Sequence, residues 1–257
     1  MEAELKRRFI ELWHEHFSDA ELPIGFYYTG EAGRAEPAQP QGQPCVICRL
    51  AQVRAGTSLA FDVDAVGCSG GKRYLGFAPG LRPGFEYFLS CGIPGEMEGE
   101  RYKKSPELVQ ELLKRMPHFD APARYIVFKR WDQMDADDEP SVVVFFAPPD
   151  VLSGLFTLAG FDDPEPQAVI APFGSGCASI VYYPYQELQS PHPRAVLGMF
   201  DVSARPCVPS NVLTLAIPWP RFVRMVDNMA ESFLITGSWR KVQARIEAMG
   251  RSKSEVG

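Results

Sequence analysis

The residues best suited to chemistry are six cysteines, four of them set in short motifs. Cys45-Val46-Ile47-Cys48 is a C-x-x-C pair, Cys68 sits in Gly67-Cys68-Ser69-Gly70-Gly71, and Cys177 follows Gly174-Ser175-Gly176. C-x-x-C brings two sulfurs within reach of one metal ion, whether it lies in a loop or on the first turn of a helix. A structural zinc site would add a second such pair or a histidine pair. His14, His16, His118 and His192 do not provide one, since only His14 and His16 are close and an i, i+2 pair diverges on a helix. An iron–sulfur cluster accepts one close pair plus single cysteines from distant loops, so Cys45, Cys48, Cys68 and Cys177 form a candidate ligand set. Adjacent glycines would let the backbone approach a cluster. Cys91 and Cys207 read as buried, small hydrophobes.

Two other chemistries compete for the same turns. A small anionic ligand could be held by N–H groups of the turns at Gly70, Gly71, Gly174, Ser175 and Gly176, with Arg101, Asp201 and Arg205 as nearby polar groups. Alternatively, Cys177 could act as a nucleophile with a lowered pKa at a helix N-terminus, given a base that the sequence does not locate. The acidic run Asp135 to Pro140 lacks the glycine and closing glutamate of a calcium loop and reads as a solvated turn.

These residues need elements to position them. Leu5, Phe9, Leu12 and Trp13 mark an opening helix, and Ile24 to Tyr28 a strand. Residues 31–44, rich in Gly, Pro, Ala and Gln, read as a mobile loop delivering the chain to Cys45. Val46 to Val53 suits a helix ending at Gly56, Ser58 to Val63 a strand, and Phe85 to Leu89 another strand. Ser105-Pro106-Glu107 caps a helix to Met116. Tyr125 to Trp131 and Val142 to Phe146 read as neighbouring strands. Asp150 then caps a helix to Ala159, and Ala168 to Ala171 reads as a buried strand. Further strands fall at Ala195 to Phe200 and Val212 to Ile217, followed by helices at Pro220 to Phe233 and Ser238 to Met249. This alternation predicts a single α/β (or α+β) domain over 1–257, a mixed sheet with flanking helices. It also suggests two pseudo-repeated strand-helix-strand units, one ending at the Cys68 turn and the other at the Cys177 turn.

With 46% hydrophobic and 23% charged residues, 257 residues can bury a substantial core. A net charge of −6 argues against a phosphate-tracking surface, so no nucleic-acid partner is expected. No apolar run approaches the roughly 20 residues of a membrane span, and the first residues enter an amphipathic helix instead of a leader. The expected location is therefore cytoplasmic, with the cysteines as thiols or ligands in place of disulfides. A small anionic ligand or a redox partner fits that setting.

Cys48 through Gly56, Cys68-Ser69-Gly70-Gly71 with Leu75-Gly76-Phe77, Gly99 through Glu107, Pro149 through Gly154, Gly174 through Cys177 and Gly198-Met199-Phe200-Asp201 together resemble the prokaryotic domain-of-unknown-function family numbered 169. The resemblance covers most of the chain. It implies a prokaryotic protein of one family and carries over no catalytic residues.

Overall fold

In a computed structural model, described for residues 3–18, 20–39 and 45–254, eight strands form one mixed sheet with helices on both faces. Helix α1 (Ala3–Phe17) leads into β1 (Ile24–Thr29), β2 (Glu36–Pro37), α2 (Val46–Arg54) and β3 (Leu59–Phe61). Then come α3 (Ser69–Tyr74), α4 (Phe85–Phe88), α5 (Pro106–Lys114) and β4 (Tyr125–Arg130). The second half runs β5 (Val142–Ala147), α6 (Pro149–Ala159), β6 (Val169–Ile170), a π-helix (Ala178–Tyr182), α7 (Tyr183–Glu187), β7 (Ala195–Gly198) and β8 (Leu213–Pro218). Helices α8 (Trp219–Asn228) and α9 (Gly237–Ser254) close the chain.

Strand alternation sorts the core into two layers. Ile24, Phe26, Ile126, Phe128, Val142 and Val144 face the layer that contains α2 and the π-helix. Val143, Phe145, Leu215 and Ile217 face the other, against α1, α6, α8 and α9. That period of two is what a sheet covered on both sides requires.

The strand order β2-β3-β4-β1-β5-β8-β7-β6 is palindromic by position in each half. The central β1 and β5 are antiparallel, and the outer pairs β2/β3 and β6/β7 are both parallel. Each outer parallel pair is bridged by a helical segment, α2 in one half and the π-helix with α7 in the other. The repeat is therefore present, but its correspondence differs from the expected one. Topologically, Cys45 before α2 matches the Cys177 turn, and the Cys68 turn after β3 matches the segment after β7. The expected match missed β2, which is two residues long and follows no apolar run.

Other expectations also shift. Phe85 to Leu89 is a helical turn: Gly84 sits at φ 72°, and the N–H groups of Phe88 and Leu89 donate to the carbonyls of Gly84 and Phe85. Its aromatic residues pack outside the sheet, where no strand partner exists. Strands β4 and β5 are not neighbours, because β1 lies between them. Residues 31–44 include β2, and 40–44 lie outside the described residues. The helix expected over Val46 to Val53 and the strand after it hold, although β3 is shorter than Ser58 to Val63. Strand β6 is half-buried at the sheet edge instead of buried. Pro148, not Asp150, is the N-cap of α6, and Asp150 pairs with Arg245 at 3.0 Å. In the acidic turn, Asp138 is buried and holds Lys129 at 2.8 Å, so only part of that turn is solvated. Among the described residues, no helix is long and apolar enough to cross a membrane.

Candidate functional site

Four chain segments converge on one cavity of about 810 Å³: Cys45, the Cys68 turn, the turn at Gly174–Cys177 and Asp201 to Ala204. They follow β2, β3, β6 and β7, so each half of the repeat contributes its two equivalent segments. Helix α4 and the chain on either side of it add a wall with Arg82, Phe85, Phe88 and Tyr102. A hollow of about 920 Å³ between α1 and α8 contains no cysteine and is bordered by the Arg8–Asp227 ion pair.

The Cys68 residue is the N-cap of α3, with extended backbone, and its sulfur accepts a hydrogen bond from Gly71 N at 3.2 Å. Gly71 has to be glycine: a Cβ there would lie 2.8 Å from Val66 Cγ1 and 3.0 Å from the Cys68 sulfur. Cys68 is exposed as a residue, yet desolvation of its sulfur within the cavity pushes the thiol pKa up, and the Gly71 bond opposes that only in part.

Cys177 is 6% exposed and leads directly into the π-helix. Burial first, then the neighbouring Cys68, Cys45 and Asp201, hold its thiol well above the usual range. Those neighbours put Cys45, Cys68, Cys177 and Asp201 in one electrostatic environment. Gly176 allows close packing beneath them, since a Cβ would lie 2.9 Å from Ile47 and 3.2 Å from the Met199 sulfur.

Two N–H groups at the second glycine turn already have acceptors. Gly176 N donates to Asp201 Oδ2 at 3.0 Å, and Ala178 N to Ser175 Oγ at 3.2 Å. The other Asp201 oxygen accepts from Ser203 N and Oγ, and Ser203 N also donates to the Tyr102 hydroxyl oxygen at 2.9 Å. The anion on the second glycine turn is thus the chain's own carboxylate. Arg205 donates to the carbonyls of Val212, Pro209 and Ser210 and holds its own loop. Arg101 is exposed, at φ 56°, and does not line the cavity. Gly70, Gly71, Gly174, Ser175, Gly176 and Asp201 do line it.

Cys48 departs from the expected ligand set. It is bonded to Cys207, 159 residues away, with Cα atoms 4.5 Å apart. The expectation that all six cysteines would be thiols or ligands is corrected there, and Cys91 is exposed instead of buried. The sulfurs of Cys45, Cys48 and Cys207 lie within 4.8 Å of one another, the one such group among the described His, Cys, Asp and Glu residues. Cys48 and Cys207 thus stand beside Cys45, and Cys68 and Cys177 line the same cavity as Cys45.

Nucleophilic chemistry at Cys177 finds little support here. Its thiol is held protonated, and among the described residues no histidine lines the cavity. Residue spacing had not pointed to Tyr102, Arg82 or Cys207. The one available signal was Asp201-x-Ser203, a side chain poised to bond the backbone two residues on.

No curated protein and no solved structure matches the chain. A profile of the uncharacterised ArCR family, DUF169, matches residues 18–228, and the chain belongs to that family.

Proposed function

We propose that this protein holds a cysteine-ligated metal cofactor, an iron–sulfur cluster by preference, at the floor of the cavity and serves a redox role. The observation that carries this reading is that Cys45, Cys68 and Cys177, on separate segments of both halves, line one cavity, with the Cys48 and Cys207 sulfurs within 4.8 Å of Cys45. Cys45, Cys68 and Cys177 are the ligand candidates, with Cys48 withdrawn into its bond to Cys207. A single tetrahedral ion needs sulfurs about 2.3 Å from the metal. Cys68 and Cys177 stand outside the tight 4.8 Å group, which suits a larger multi-iron unit better than one ion.

Such a cofactor would supply one-electron chemistry. The chain's own part is to deliver thiolates and exclude water. Burial favours a protonated Cys177, so a cation beside the sulfur would be needed to hold it as thiolate. Apolar walls from Phe85, Phe88 and Phe173 limit solvent access, and Gly71 and Gly176 let the backbone pack close to the sulfurs.

The test is an ultraviolet-visible spectrum with iron and acid-labile sulfide analysis on protein purified without oxygen. Visible absorbance lost in Cys45→Ser, Cys68→Ser and Cys177→Ser, and kept in Cys91→Ser, is the expected result. A colourless protein that cannot be reconstituted overturns the reading.

The cavity favours a second reading, a small-molecule binding protein without metal. Its volume falls within the 300–1,000 Å³ range of ligand pockets. With the second glycine turn capped by Asp201, Arg82 is the remaining cationic group of the lining for an anionic ligand. A rise in melting temperature of the metal-free protein on adding small carboxylates or phosphates would favour this reading.

A further inference from the structure

We infer that Cys45, Cys48 and Cys207 form a thiol–disulfide exchange site, in which the Cys48–Cys207 bond can be passed to Cys45. A disulfide that serves only to tie two segments needs two sulfurs. Here a third lies within 4.8 Å of both. Exchange proceeds by attack of a thiolate on a disulfide sulfur, so a third sulfur at this range makes the step intramolecular.

The placement of Cys45 suits the attacker. It is half-buried, borders the cavity and stands at the start of α2, whose backbone places Cys45 and Cys48 three residues apart on the first turn. The step needs no outside oxidant. Cys45 gives its proton to water, its sulfur bonds to the Cys48 sulfur, the Cys48–Cys207 bond breaks, and the electron pair leaves on Cys207, which takes up a proton. An external dithiol could then reduce Cys45–Cys48 to two thiols, itself becoming the disulfide.

The exchange reaches the cavity through the chain. Cys207 ends a short 3-10 turn, Arg205–Cys207, and the Cys48–Cys207 bond ties that turn to α2. Asp201 and Ser203, just before it, line the cavity, and Asp201 holds the Gly176 turn. Release of Cys207 removes the covalent restraint on this wall. The inference does not rest on a bound cofactor, and its test uses aerobic, metal-free protein, so it stands or falls apart from the spectrum above.

Full-length protein is equilibrated in mixtures of reduced and oxidised dithiothreitol, quenched in acid, alkylated and mapped by mass spectrometry after trypsin. Cys45 and Cys48 share the tryptic peptide 35–49, and Cys207 lies in 195–221. The expected map shows the 35–49/195–221 cross-link and, at intermediate poise, a 35–49 peptide lighter by two hydrogens. In Cys207→Ser the lighter 35–49 peptide should become the main oxidised form. A wild-type map that shows no cross-link when fully oxidised, or that never shows the lighter peptide, overturns the inference. If Cys207→Ser does not fold, the wild-type map decides alone.

Discussion

Cys177 shows how environment overrides residue type. A cysteine after two glycines at the start of a helical segment reads as an activated nucleophile, because the helix end stabilises a thiolate. In the fold Cys177 is buried, and that burial pushes its pKa well above the ordinary 9.0. Maleimide labelling of the native, metal-free protein should therefore be fast at Cys91 and slow at Cys177 throughout neutral pH. Denaturant should bring Cys177 to an ordinary thiol rate. Equal rates in the native protein would show that the sulfur is accessible after all. Sequence could mark the cysteine turns because glycine and cysteine are distinctive there. It could not pair Cys48 with Cys207, since the partner is 159 residues away and spacing carries no information at that range.

At the scale of elements, legibility followed local signals. Helix α5 was readable from Ser105 and Pro106, and α2 from its apolar spacing and Gly56, which sits at φ 107°. Helix α4 was not, because four aromatic-rich residues have no period to read. The π-helix was also hidden, since its position depends on the sheet beneath it. Gly198 of β7 is what lets it approach: a Cβ there would lie 2.4 Å from both Cβ and Oγ of Ser179. The Ser179 hydroxyl donates to Gly176 O at 3.0 Å, so this contact also fixes the turn that carries Cys177. Gly198→Ala should destabilise the protein by about 1–3 kcal/mol through overpacking. Chemical denaturation would measure it, and an unchanged midpoint would mean that the π-helix yields freely.

Across the whole molecule, buried acidic groups of high pKa set the alkaline limit. Burial raises Cys177 and Tyr28 well above their ordinary values and Tyr74 to about 12. Each binds its proton more tightly folded than unfolded. Their stabilising contribution is complete below the ordinary thiol and phenol values of 9.0 and 10.0 and is lost as pH rises from there through the folded values. The melting temperature should thus fall steeply above about pH 9, and Cys177→Ala should move the start of that fall upward. A flat profile to pH 11 would contradict the burial of these groups. The α/β class with a mixed sheet was legible from alternating apolar runs. The palindromic order was not, because β2 and β6 are only two residues long. That brevity has a consequence for how the protein keeps its own company. An open sheet presents unpaired backbone at its two margins, where another chain could add and begin a fibre. Here both margins are two-residue strands, and one of them contains Pro37, which has no N–H to offer. The duplicated halves thus end in strands that offer a ninth very little backbone to pair with.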